Sequence, residues 1–281
     1  MPVVRDAVLT ERRVLSGDYL RLAFAHPEVA AGARAGQFVM VKSPLSPEPL
    51  LPRPFSVLET DPERGTFGIF LKVVGPGSRA LAALREGDAA ACLGPLGRPF
   101  SDPPPDTEAL LVAGGYGIAP FLLFSRALTA RRGQVRVFYG GRTEGDLQLR
   151  GPFAELRDPL VPATEDGSHG HRGRVTEPLH DYLATATRPV RLYACGPDAM
   201  LHAVARVAES HDVPAEVSLD PWMGCGVGTC LGCVVRIQKA GEPSPHHRCA
   251  CTEGPVFDAR EVVWAGEATS RARRETVPVR A

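Results

Sequence analysis

The sequence predicts a multidomain β plus α/β protein, with an N-terminal antiparallel β-barrel (1–102), a parallel-sheet α/β domain (107–215) and a small cysteine-organised module (216–281). Three observations predict it. The first hundred residues read as short β-type stretches broken by turns. Three consecutive prolines, Pro103 to Pro105, then form a stiff spacer, after which strand-like and helix-like segments alternate. Finally, five of the seven cysteines fall between Cys225 and Cys251.

In the first unit the stretches 3–10, 19–25, 38–42, 55–59 and 66–73 are rich in Val, Phe and Leu, and Gly, Pro, Asp and Glu separate them. Evenly spaced short strands of this kind suit an antiparallel barrel. One helix is expected over 78–84, ending before Glu86-Gly87-Asp88. Beyond the prolines, strands are expected at 109–113, 134–139 and 190–194. Helices are expected at 119–131, at 147–156 with an interruption at Gly151-Pro152, and at 198–210. Such alternation implies parallel strands joined by crossover helices. The polar, glycine-rich stretch 165–173 reads as a surface loop. From about Val217 the cysteine spacing leaves little room for regular structure, so a metal is expected to organise the tail.

Composition narrows the classes. Hydrophobic residues make up 44% and charged residues 23%, which is enough apolar content for a real core. Basic and acidic residues balance at 32 each, which argues against nucleic acid or an anionic membrane as the main partner. The start, MPVVRDAVLT, lacks the basic-then-apolar pattern of a secretory signal, and the longest apolar run, 112–124, is too short to span a bilayer. A soluble, cytoplasmic protein is expected. In a reducing compartment seven cysteines make a poor disulfide framework, and their clustering points to metal.

The segment Met223-Gly224-Cys225-Gly226-Val227-Gly228-Thr229-Cys230-Leu231-Gly232-Cys233 has the spacing C-x4-C-x2-C, with Cys249 and Cys251 further on. Plant-type [2Fe–2S] sites share this spacing and take a distant fourth cysteine. Four thiolates must converge on two irons from a tight loop, and the glycines let backbone N–H groups approach the sulfurs. A structural zinc site, the competing reading, usually shows two short C-x2-C pairs.

Arg53-Pro54-Phe55-Ser56, at the start of a barrel strand, resembles the Arg-x-aromatic-Ser/Thr element of the ferredoxin–NADP reductase-like superfamily. The resemblance implies that Arg53 pairs with the flavin pyrophosphate, a bidentate role suited to guanidinium. It also implies that Phe55 packs beside the flavin and that the Ser56 hydroxyl reaches N5. Gly75-Pro76-Gly77-Ser78 stands at an expected helix start, where free N–H groups can hold phosphate oxygens. In the second unit Gly114-Gly115-Tyr116-Gly117 follows an apolar strand and opens a helix, without forming a G-x-G-x-x-G fingerprint. Cys195-Gly196-Pro197 repeats the strand-into-helix arrangement, and ligands of such sheets sit at the carboxyl ends of strands. The Cys-Gly-Pro run resembles the superfamily's nicotinamide-side element, which implies that Cys195 lies near the position of hydride transfer. Arg142, after the second strand, is a candidate contact for the adenosine ribose.

Barrel, linker, nucleotide domain and C-terminal cysteines together resemble one family over nearly the whole chain, the electron-transfer subunits of NAD-dependent bacterial dihydroorotate dehydrogenase. The most specific parts are MGCGVGTCLGCVV and Cys251-Thr252-Glu253-Gly254-Pro255-Val256-Phe257. The resemblance implies cluster ligation by Cys225, Cys230, Cys233 and Cys251, with Cys249 standing close enough to compete. It places flavin contacts on Arg53, Pro54, Phe55, Ser56, Phe70, Leu71, Lys72, Gly77 and Ser78. Nicotinamide contacts fall on Gly114, Gly115, Gly117, Gly196 and Pro197. Asp220-Pro221-Trp222 departs from the Glu-Arg pair usual before the cluster loop. The family implies FAD, a [2Fe–2S] cluster and NAD as cofactors, and an FMN-containing catalytic subunit as partner in a dimer of heterodimers. Electrons from dihydroorotate oxidation, a step of pyrimidine biosynthesis, would pass through cluster and FAD to NAD+. The same machinery could serve another oxidoreductase, of transhydrogenase, sulfite reductase or hydrogenase type.

Overall fold

The computed structural model describes residues 4–264. Residue 3 of the expected first strand and residues 265–281 of the expected third unit lie outside them. The first unit is a closed six-stranded antiparallel barrel with neighbour order β1-β2-β5-β4-β3-β6. Its strands are β1 (Arg5–Val14), β2 (Tyr19–Ala25), β3 (Phe38–Lys42), β4 (Arg53–Asp61), β5 (Thr66–Lys72) and β6 (Ala89–Leu96). Alternation builds the wall: Leu20, Leu22 and Phe24 of β2 turn inward against Val39, Val57 and Ile69. Two helices pack on the barrel, α1 (Pro27–Gly32) and α2 (Pro76–Ala82), burying Val29 and Leu81 in its core. Neither α1 nor β6 is expected from the sequence. The first is only six residues long, and the second, AAACLGPL, has little β-branched or aromatic content.

The second unit is a seven-stranded sheet in the order β10-β9-β8-β7-β11-β12-β15, with helices packed against it. Its strands are β7 (Glu108–Gly114), β8 (Val135–Gly141), β9 (Leu160–Thr164), β10 (His171–Arg172), β11 (Val190–Cys195) and β12 (Ala215–Ser218). They run parallel and are joined through α3 (Ala119–Ala130), α4 (Arg150–Glu155), α5 (Thr176–Thr185) and α6 (Asp198–Ser210). The fold class expected from the sequence is therefore the one observed. Pro152 falls within the first turn of α4, where its missing N–H has no partner to lose. The loop expected over 165–173 ends in the short strand β10, and β12 straddles the division drawn at 215/216.

The tail corrects the expectation of little regular structure. It forms a hairpin, β13 (Val234–Ile237) with β14 (His246–Cys249), and a last strand, β15 (Val256–Asp258). β15 pairs antiparallel with β12, Val217 opposite Phe257, and covers the edge of the sheet. The tail thus has hydrogen-bonded and apolar reasons to fold that cysteine spacing does not reveal. Among the described residues no helix is long and apolar enough to cross a membrane.

Candidate functional site

The flavin motif lies on β4, where Arg53, Pro54, Phe55 and Ser56 pair with Val41, Met40, Val39 and Phe38 of β3. The Arg53 guanidinium is tethered through one nitrogen, Nη1, to the carbonyls of Leu51 at 3.0 Å and Pro52 at 3.2 Å. That leaves its other donors free for an anion. A Cβ on Gly77 would stand 3.0 Å from Arg53 Cγ, 3.2 Å from its Nε and 3.2 Å from Pro49 Cγ. Glycine is thus what admits the arginine stem to this cradle, and a guanidinium against a glycine turn suits a pyrophosphate. The Ser78 hydroxyl is committed internally: it accepts from the N–H groups of Val74 and Gly75 and donates to the Gly75 carbonyl. Its part in a phosphate site is to shape the turn. Phe70 and Leu71 are buried, so β5 can offer a ligand backbone there but not those side chains. Phe70 stacks on Tyr19 with ring centroids 5.5 Å apart.

The nucleotide motifs meet where β7 and β11 run side by side, Ala113 opposite Cys195. A Cβ on Gly117 would lie 2.5 Å from the Cys195 carbonyl oxygen, and one on Gly114 2.8 Å from Pro197 Cδ. The GGYG and Cys-Gly-Pro turns are therefore pressed together, and only glycine fits. Gly115 differs, with φ +55° and open space where its Cβ would point. Backbone of this kind at a strand end lets a diphosphate approach closely. Burial, reinforced by the Asp220 carboxylate, pushes the Cys195 thiol up to about 12. Cys195 is therefore a neutral thiol, fit to pack beside a ring and not to attack it. Arg142, at the end of β8, has an exposed side chain beside Asp146, with Nε 3.7 Å from Oδ2.

The two halves are joined near these strand ends by a carboxylate. Asp146 accepts from the Tyr19 hydroxyl at 2.6 Å and from Lys72 Nζ at 2.9 Å, both on the barrel. Lys72, expected as a flavin contact, is thus engaged across the joint. Burial raises the Asp146 carboxyl, but the Tyr19 and Lys72 bonds outweigh that and bring it down to about 2. Burial and the same carboxylate push Tyr19 up to about 12. No sequence motif signals this trio, because Tyr19 and Asp146 are 127 positions apart.

The cysteine loop leans on the barrel, where a Cβ on Gly226 would meet Met40 Cγ at 2.6 Å and one on Gly224 would meet Leu51 Cδ1 at 3.4 Å. Backbone N–H groups point at the sulfurs. Val227 and Cys230 each donate to Cys225 Sγ at 3.4 Å, Gly232 to Cys230 Sγ at 3.5 Å and Gly228 to Cys251 Sγ at 3.2 Å. Burial opposes ionisation of Cys225, and the Cys230 and Val227 donors overcome it, bringing that thiol down to about 6. A loop that stabilises thiolates through its backbone fits an iron–sulfur cluster. The Gly228 bond ties the distant Cys251 to the loop. The half-buried Cys249 thiol also stands against Cys233, as the Cys251 thiol does, while its N–H donates to Glu253 Oε2 at 2.9 Å. Cys230 is exposed, whereas Cys233 and Cys251 are buried. Among the described residues no three His, Cys, Asp or Glu side chains gather as ligands of a single metal ion.

Comparison with known proteins agrees with this layout. Residues 6–100 match an oxidoreductase FAD-binding domain and residues 111–206 an oxidoreductase NAD-binding domain. Residues 220–263 match the iron–sulfur cluster binding domain of dihydroorotate dehydrogenase B. The chain is similar to the electron transfer subunit of dihydroorotate dehydrogenase B (NAD(+)) from Desulforamulus reducens, with 36% identity over 264 residues covering 94% of this chain and all of that one. The Geobacillus kaustophilus electron transfer subunit of the same name is 37% identical, covering 92% of this chain and 98% of its own. Among solved structures, that of an NADH-dependent reduced ferredoxin–NADP oxidoreductase superimposes with a TM-score of 0.81 at 30% identity. That likeness covers 96% of this chain and 98% of the other. FAD, nicotinamide and iron–sulfur modules are thus all present in one polypeptide.

Proposed function

This chain belongs to the family of dihydroorotate dehydrogenase B electron-transfer subunits, and we propose that it serves an FMN-containing catalytic subunit in the cytoplasm, within a dimer of heterodimers. It is an oxidoreductase subunit that passes electrons from the oxidation of dihydroorotate, through an iron–sulfur cluster and FAD, to NAD+. When bound, FAD exchanges electrons singly or in pairs, which lets a one-electron cluster communicate with a two-electron nicotinamide.

The chain's own residues divide the work. Arg53 holds the flavin pyrophosphate, Gly77 keeps the space for it, and Ser56 presents a half-buried hydroxyl at the reacting edge. Pro54, Phe55 and the backbone of Phe70, Leu71 and Lys72 form the flavin's bed. Gly114, Gly115 and Gly117 with Gly196 and Pro197 receive the nicotinamide nucleotide, and Cys195 packs beside its ring as a neutral thiol. Cys225, Cys230, Cys233 and Cys251 hold the cluster. The observation that carries the reading is the Gly228-to-Cys251 bond, which closes the cysteine loop over the fourth thiol within a chain that also bears both nucleotide motifs.

Around the exposed Cys230 lies apolar surface, with Trp222 92% exposed, Leu231 60% and Leu51 50%. Such a patch beside a redox group supports docking of the catalytic subunit there. Mixing the holo-chain with the catalytic subunit from the same genome should give dihydroorotate-dependent NAD+ reduction, while the chain alone oxidises NADH with artificial acceptors only. A second reading, service to another oxidoreductase, draws on the likeness to the ferredoxin–NADP oxidoreductase structure. It replaces the first if the two subunits neither associate nor couple.

A further inference from the structure

We propose that Asp146 is a positioning residue for hydride transfer, a latch that fixes the nucleotide-binding sheet against the flavin barrel at the reacting joint. The proposal rests on the flavin-to-nicotinamide reading above and not on the identity of the partner.

Among the described residues four polar clusters stitch the two units: the Asp146 trio and three others, one of which pairs Asp102 with Arg131, just after α3, at 2.8 Å. Glu59 of β4 joins Arg126 of α3 at 2.9 Å. Glu216 of β12 accepts from the Ser101 N–H at 3.0 Å and from Arg191 at 2.9 Å. Glu59 lies towards the end of β4 remote from the flavin motif, and Arg191 and Glu216 sit in the first half of their strands. Only Asp146 lies just past the carboxyl end of a sheet strand, β8, on the side where the GGYG and Cys-Gly-Pro turns meet.

Its construction is that of a rigid part. On its own side the backbone around Asp146 is fixed by Tyr139, whose hydroxyl donates to the Asp146 carbonyl at 3.0 Å. The Arg142 N–H donates to Oδ2 at 3.1 Å, and the Asp146 N–H donates to the Thr143 carbonyl at 3.0 Å. A Cβ on Gly141 would stand 2.9 Å from Asp146 Cβ, so the carboxylate is packed in place. On the barrel side both donors are equally constrained. Tyr19 and Lys72 are register partners across β2 and β5, the ammonium lies 4.7 Å from the phenol centroid, and Phe70 stacks on the same ring. One oxygen, Oδ1, thus takes two charge-assisted bonds from a preset pair. Lys72 is itself the last residue of the β5 backbone assigned to the flavin. The latch therefore ties the flavin strand to the nucleotide strand over a handful of residues. Reacting atoms in such a transfer tolerate little displacement, and about 1 Å can cost on the order of a hundredfold in rate.

The test uses the FAD-loaded full chain, with Asp146→Asn, Tyr19→Phe and the double variant. Mixed anaerobically with NADH, Asp146→Asn should show a limiting rate of flavin bleaching lowered on the order of tenfold, with the NADH Kd within about twofold of the parent. The double variant should lose less than the product of the two single losses, because the residues act as one unit. In the FAD-free chain, amide hydrogen exchange should quicken at 70–73 and 142–147 and stay unchanged in the distant halves of both units. Tyr19→Phe keeps the ring stack and covers the case in which Asp146→Asn folds poorly. A limiting rate within about twofold of the parent in both single variants overturns the proposal, as does a Kd that rises in step with the rate loss. A parent chain whose flavin NADH does not reduce fails the reading beneath it, and the proposal with it.

Discussion

Gly97 is the hinge pin between barrel and cluster module, and Gly97→Ala should detach the module while sparing the flavin. Its φ is +76°, a conformation that costs an L-residue about 1–2 kcal/mol. The added methyl would also stand 2.6 Å from Pro255 Cδ, 2.9 Å from the Gly254 carbonyl oxygen and 3.0 Å from Phe38 Cε1. All three of these neighbours are backbone or ring atoms with little freedom to retreat, and such overpacking costs about 1–3 kcal/mol. Together the two terms reach roughly 2–5 kcal/mol, a large part of a typical domain's stability. The strain falls where the next residue, Arg98, donates its N–H to the Gly254 carbonyl at 2.5 Å, three residues beyond Cys251. The cluster should therefore go first. Heating the holo-protein while following iron–sulfur and flavin absorption should show the cluster bleaching at least 5 °C lower than in the parent, with flavin release shifted much less. If the two signals shift together or neither moves, the Gly97–Gly254 contact does not hold the module.

Three further outcomes follow from the site. Arg53→Ala should weaken FAD binding by about 2 kcal/mol, roughly thirtyfold in Kd measured by equilibrium dialysis, with the barrel still folded by circular dichroism. Cys251→Ser should lose or distort the cluster spectrum and Cys249→Ser should keep it, since Cys251 is the thiol that receives the Gly228 N–H; electron paramagnetic resonance of the reduced protein reads this directly. Asp146→Asn should lower stability in a pH-dependent way. The folded carboxyl titrates at about 2 against an ordinary 3.8, so its stabilisation is present above pH 4 and is lost as pH falls through 2. Urea unfolding should show a gap from the parent of about 2 kcal/mol at pH 6, narrowing to about half by pH 3.

Much of this fold was legible in the sequence where local physics decides the outcome. Strands β2, β3 and β5 and helix α6 stand out because apolar alternation or helical spacing is strong and turn residues bound it. What escaped was weakly patterned or settled at long range. β6 carries Gly94-Pro95, and β9 carries Pro162 at its centre. α5 buries only Leu179 and Leu183 and follows a polar loop, so its two-residue stripe is easily missed. At the site, glycine-rich turns and clustered cysteines announce themselves through composition. The Asp146 joint does not, because each of its residues is ordinary until the fold unites them.

The cluster module shows how a loop with few apolar residues is held in place by its flanks. Both ends of the cysteine segment are pinned to one strand pair. At the near end β12 runs directly into Leu219, whose N–H donates to the Pro255 carbonyl at 2.9 Å. At the far end β15 leaves Pro255 and pairs with β12 across Ser218 and Val256. The loop between them returns to where it began, and the Gly228 bond to Cys251 closes the circle from inside. Phe257 fills the space beside Gly254, where even a methyl would meet its ring at 2.2 Å. The four thiols are thus positioned relative to β12 and, through Arg98, to the end of the barrel. β12 neighbours β11, whose end carries Cys195 and the nicotinamide turn. A single sheet therefore sets the spacing of cluster side and nicotinamide side, and the barrel is clamped to it at Asp146 and at Gly254. The contacts that hold the cysteine segment to β12 thus tie it to the same sheet that carries the Cys-Gly-Pro turn.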